Sequence, residues 1–155
     1  MPLRVPRWLL ILLIPLCAGL WACTPNLDGT WHGTAELVDR KTGEPVEPAP
    51  EVTLELTQDN PPSVRGTLTF IFDTSEGPLK DLTEQTFELF GMADRGELEL
   101  VESSNGSEPR PQAQLDFHGL QAEVDGDRME GRVTLGLITE EGMQAFVGPF
   151  VARQR

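Results

Sequence analysis

An all-β fold, an antiparallel up-and-down β-barrel of about eight strands, is predicted by three features of this 155-residue chain. Short segments alternate apolar and polar residues with period two, the spacing that gives a strand one dry face and one wet face. Clusters of Asp, Asn, Gly and Pro interrupt the alternation at intervals of ~10–15 residues, as turns between short strands do. Beyond Ala22 the chain runs 133 residues, a length that buries roughly two thirds of its unfolded surface without help from disulfides. Eight strands in that length close most economically into a barrel, because closure removes sheet edges; a two-sheet β-sandwich is the alternative.

The strands follow in order. Leu27-Asp-Gly-Thr-Trp-His-Gly-Thr34 opens the first. In Glu51-Val-Thr-Leu-Glu-Leu-Thr57, Val52, Leu54 and Leu56 share the apolar face, and in the next strand Leu68, Phe70 and Phe72 lie opposite Thr67 and Thr69. The pattern returns in Glu97-Leu-Glu-Leu100, Gln114-Leu-Asp-Phe117, Leu120-Gln-Ala-Glu-Val124, Arg132-Val-Thr-Leu135 and Ala145-Phe-Val-Gly-Pro-Phe150. Residues 74–84 are the one stretch that suits a short helix. Turn signals are Asp59-Asn60-Pro61-Pro62, Asp94-Arg95-Gly96, Ser104-Asn105-Gly106-Ser107, Asp125-Gly126-Asp127 and Glu140-Glu141-Gly142. Asp125-Gly126 is the strongest, since a tight primed hairpin turn wants positive φ at both central residues. A weak internal repeat places Gly29, Gly66 and Gly131 two residues after an apolar one, and glycine within a strand marks a bulge or sharp bend.

The first 22 residues are a different object. Arg4 and Arg7 precede fifteen uncharged, mostly apolar residues, Trp8 to Ala22, the layout of a secretory signal. Fifteen helical residues reach about 22 Å, short of the ~30 Å hydrocarbon core of a bilayer, and Pro15 weakens the helix further. Leu20-Trp21-Ala22-Cys23 resembles the lipobox of bacterial lipoproteins, with a branched apolar residue, a tolerant position and a small residue before the cysteine. The resemblance implies that residues 1–22 are removed, that the Cys23 thiol carries diacylglycerol, and that its new amine is often acylated as well. An ordinary secretory cut wants a small residue where Leu20 stands. Thr24 after the cysteine implies, by the family's sorting rules, the outer membrane on its periplasmic face. Residues 23–26 are then a short tether and 27–155 the folded domain. Cys17 leaves with the signal, so no disulfide forms within the domain.

Leu27-x-Gly29-Thr-Trp31 and Gly148-x-Phe150-x-Ala152-Arg153-x-Arg155 resemble the first and last strands of lipocalin- and avidin-like barrels. That likeness implies a Trp31 plug at one end of the barrel, with Arg153 or Arg155 packed over it.

Charge and composition exclude several functions. The domain carries 25 acidic and 10 basic side chains, and phosphate binding needs clustered Lys and Arg, so nucleic acid is not a partner. His32 and His118 sit on the polar sides of their strands with no third metal ligand in view. Ser63, Ser75, Ser103, Ser104 and Ser107 all fall in expected turns without a nucleophile elbow, so no enzyme is read here. Glu123, Asp125 and Asp127 lack the loop spacing that makes a Ca²⁺ site specific. Most of the seven Phe, with Trp31, read as core. The inward positions Gly33, Ala35, Gly66, Ala122 and Gly148 are too few small residues for a large cavity. The expectation is a lipid-anchored, non-catalytic interaction or accessory module of the envelope, without cofactor, whose partners are the bilayer and membrane-proximal proteins. A lipocalin-like carrier of a small hydrophobic ligand is the alternative, and an acidic inhibitor of a basic hydrolase the weaker one.

Overall fold

The computed structural model describes residues 25–103, 114–140 and 142–155, and every regular element among them is a strand. These are β1 (Gly29–Ala35), β2 (Val38–Asp39), β3 (Glu51–Asn60), β4 (Ser63–Ile71), β5 (Glu84–Asp94), β6 (Glu97–Glu102), β7 (Gln114–Asp125), β8 (Arg128–Thr139) and β9 (Gly142–Gln154). Each strand from β3 to β9 pairs antiparallel with the next, β1 pairs β3, and β9 returns to β1, so eight strands close into a barrel. A two-sheet sandwich is thereby excluded. The ninth strand, β2, extends the line of β1 along β9, with Val38 opposite Val147 and Asp39 opposite Phe146.

Alternation places the expected residues inside. Val52, Leu54, Leu56, Leu68, Phe70 and Phe72 are all buried, and Trp31 is fully so. Phe72 stacks on Phe70 at 5.9 Å, Phe70 meets Phe87 edge-on at 6.2 Å, and Phe87 tilts against Phe117 at 5.8 Å. This aromatic chain crosses the interior and joins Trp31, Phe146 and Phe150 in one contiguous core. Gly33, Gly66, Gly91, Gly131 and Gly148 occupy inward positions where a Cβ would overlap the backbone carbonyl of an adjacent segment, a neighbouring strand for the first four and Glu36 for Gly148. They let adjacent strands cross steeply at the barrel's corners, as the glycine repeat predicts for Gly66 and Gly131.

Four expectations are corrected. Residues 74–84 form no helix: 75–81 are turns and bends, and Glu84 begins β5, a strand that alternation does not reveal because its outward positions include Phe90 and Met92. Segments 114–117 and 120–124 are one strand, β7, whose register shifts at His118. That single bulged residue moves the inward set from Leu115 and Phe117 to Leu120, Ala122 and Val124. The turn with positive φ at both central residues is Arg95 (52°) and Gly96 (88°), whereas after Asp125 only Gly126 (61°) is positive. The first has the φ signature of a type I′ turn and the second that of type II′. Ser63 also proves to be the first residue of β4, and the 104–107 turn lies outside the described residues.

The meander gives the barrel two unlike ends. At the turn end, two-residue connections join β3 to β4, β5 to β6 and β7 to β8, and both ends of the domain emerge beside them. At the loop end lie the 36–50 and 72–83 connections. Asp39 fastens the first of these: its Oδ1 accepts the Lys41 N–H at 2.7 Å and its other oxygen accepts the Gln144 side chain of β9. Burial is the largest single influence on Asp39 and opposes its charge. Hydrogen bonds from the Lys41 backbone, the Gln144 side chain and both backbone and side chain of Thr42 together outweigh it and hold the carboxyl below its ordinary 3.8. A lowered folded-state pKa means stability that is present above pH 3.8 and lost as pH falls through the lower value. Asp39→Asn should therefore reduce urea resistance at neutral pH and narrow the gap to wild type at pH 2–3. An unchanged gap across that range would remove the Asp39 charge from the account.

Candidate functional site

Cys23 and Thr24 lie outside the described residues, which begin at Pro25. The geometry just after them is well defined. The Asp28 N–H bonds to the Asn26 Oδ1 at 3.1 Å, Leu27 is fully buried, and its carbonyl accepts the Trp31 indole N–H at 3.1 Å. Gln154 of β9 stands opposite Trp31 in the register and donates its side-chain amide to the Asp28 carbonyl at 2.7 Å. Arg153 and Arg155 do not take the place that the barrel resemblance implies for them. Arg153 pairs with His32 on the outer face and Arg155 is exposed beyond the strand, while the polar lock over Trp31 is Gln154.

A groove of about 790 Å³ runs across the outer wall of β5 to β8 near the turn end. Its residues are far apart in sequence and meet only through register. Asp94 stands opposite Glu97, Glu97 opposite Glu123, and Glu123 opposite Glu130, so four carboxylates form one row across four strands. The parallel row one pleat away is Met92, Glu99, Gln121 and Arg132. A third row begins with Phe90 opposite Val101. Phe90 is 50%, Met92 60% and Val101 37% exposed, an apolar margin beside the carboxylates.

Cross-strand neighbours of like charge repel, since their Cβ atoms are only ~5 Å apart. Arg128 offsets Glu130 by an ion pair, and Arg95 approaches Asp94 at 3.9 Å. Glu97 and Glu123, in the middle of the row, have no cationic partner among the described residues. Glu123→Gln removes repulsion from two neighbours at once and should stabilise the barrel by roughly 0.5–1 kcal/mol at low salt, a rise of a few degrees in melting temperature. A fall in melting temperature would show that the row is not strained.

The other sequence candidates are dispersed. His32 is half-buried on β1 with its Nδ1 3.2 Å from the Thr53 hydroxyl. His118 is exposed at the β7 bulge, its ring lying over Gly136 of β8. The two strands are not neighbours, and β8 and β9 stand between them. Of the acidic trio near the hairpin, Glu123 belongs to the carboxylate row, Asp125 ends β7 opposite Arg128, and Asp127 is in the turn. No group of three His, Cys, Asp or Glu suited to a metal occurs among the described residues.

Fold and groove together define a closed, packed eight-stranded barrel with an acidic depression on its outer wall. No family model matches the chain, nor does any curated protein or solved structure.

Proposed function

We propose that this protein is a bacterial envelope lipoprotein, acylated at Cys23 and held at the periplasmic face of the outer membrane, whose barrel serves as a non-catalytic interaction module. The observation that carries the reading is the lipobox-like Leu20-Trp21-Ala22-Cys23 placed four residues before the buried Leu27. Each buried methylene of an acyl chain contributes roughly 0.8 kcal/mol, and two or more chains make attachment long-lived. Residues 24–26 extend at most about 11 Å, so the turn end of the barrel stays near the lipid surface.

The interior favours an interaction module over a hydrophobic carrier. Trp31 and the fully buried Phe70, Phe87, Phe146 and Phe150 occupy the space a ligand would need, as expected for a small eight-stranded barrel. Native mass spectrometry of the purified protein, with Trp31 fluorescence, tests this directly. The expected outcome is no stoichiometric non-covalent lipid, no shift of Trp31 emission on adding fatty acids, and crosslinks in cells to membrane-proximal envelope proteins. A co-purifying apolar ligand that moves Trp31 emission would establish the carrier instead.

A further inference from the structure

The outer groove of β5 to β8 has two properties that a binding surface would bring together. Its rim places four carboxylates side by side at a cost in repulsion, and its margin exposes Phe90, Met92 and Val101 to water. A solubility role for the acids does not require them to stand in one row, and it gives no reason for large apolar side chains beside them. A ligand that brings positive charge and apolar surface at once relieves both. We infer that this groove docks a basic amphipathic segment of a partner protein, its cationic side chains against Glu97 and Glu123 and its apolar side chains against Phe90 and Met92.

The dimensions set the occupant. Three strand spacings make the carboxylate row about 14 Å long, the length of about ten helical residues at 1.5 Å each. Two pleats separate that row from Phe90, again about 14 Å, wide enough for one helix of 10–12 Å diameter. Among the described residues only Arg132 lines the groove with a positive charge, so complementarity selects a cationic partner and rejects an anionic one. This deepens the interaction-module reading, and under that reading the groove lies near the turn end, beside the membrane, where a segment running along the lipid surface can reach it.

The test uses the mature protein in discs of zwitterionic lipid and a fluorescent Lys/Leu peptide with helical periodicity, about 14 residues long, with empty discs as background. Binding should weaken as salt rises. It should fall roughly tenfold or more in Glu97→Gln/Glu123→Gln and in Phe90→Ser/Met92→Ser, while Glu55→Gln on β3 leaves it unchanged. Circular dichroism melts of the same variants confirm that the barrel stays folded. Equal binding of a Lys/Ser peptide of the same charge would overturn the proposal, as non-specific attraction. So would equal loss in Glu55→Gln, or wild-type self-association that occupies the groove. Failure of the anchor reading is separately visible, because an unacylated protein would not load into the discs at all.

Discussion

Under the proposed lipoprotein reading, Cys23→Ser placed behind an ordinary secretory signal whose removal does not depend on the thiol should transfer the protein from the membrane fraction to the soluble fraction. Oxygen cannot take the place of the thiol that carries the diacylglycerol in the lipoproteins this segment resembles, so modification and the cut that depends on it would both stop. Nothing in the barrel replaces the lost affinity. Most apolar side chains of the described strands face inward into one core, and apart from a few exposed apolar residues such as Phe90, Met92 and Met143 the outer wall carries the acidic excess, which an anionic lipid surface repels. The effect is large because several acyl chains are removed together: at ~0.8 kcal/mol per methylene, even one chain contributes more than any surface contact of the domain. Fractionation with salt and carbonate washes reads the result. Persistence of the variant in washed membranes, with the signal segment removed, would mean that something other than Cys23 holds the protein there.

Trp31→Ala should be the most destabilising single truncation in the barrel. The side chain is fully buried, and its N–H satisfies the Leu27 carbonyl at the point where the chain enters the first strand. Removing an aromatic side chain from a core costs roughly 3–5 kcal/mol, and here an unsatisfied buried carbonyl adds to it. Against a typical total of 5–15 kcal/mol, and with no disulfide inside the domain, that lowers the melting temperature by roughly 10–20 °C. Trp31→Phe keeps most of the volume and loses only the hydrogen bond, so it should cost about 1–2 kcal/mol. A loss below about 1 kcal/mol for Trp31→Ala would show that Trp31 does not plug the turn end. Trp8 and Trp21 precede Cys23, so in a chain cut there Trp31 is the only tryptophan and reports its own environment.

Where alternation is clean, the sequence is enough to assign strands. Val52, Leu54 and Leu56 against Thr53, Glu55 and Thr57 define β3 without ambiguity, and Arg132-Val-Thr-Leu135 marks β8. The failures have physical causes. In β5, inward Phe87 and Leu89 give way to inward Gly91 and Ala93, while Phe90 and Met92 point outward, so period two dissolves in a run that is apolar on both parities. In β7, His118 inserts one unpaired residue and reverses the phase, which reads in sequence as two strands. The broken pattern of β5 coincides with the apolar margin of the groove, in line with local rules failing where a surface serves a purpose other than folding.

The groove itself was not legible in advance. Asp94, Glu97, Glu123 and Glu130 come from four strands, and nothing in their spacing says that they share a row until register aligns them. What sequence does supply is the acidic excess and, had β5 been recognised, the outward Phe90 and Met92. The Arg95-Gly96 hairpin shows the same limit on a smaller scale. Both central residues take positive φ there, although Arg is not a residue that announces such a conformation.

The measurement that bears most directly on the account is the intact mass of the mature protein extracted from its native membrane. A chain beginning at Cys23 and carrying a thioether-linked diacylglycerol, with or without a further amide-linked acyl chain, is the predicted result. A chain that retains residues 1–22, or one whose Cys23 thiol is free, would contradict it.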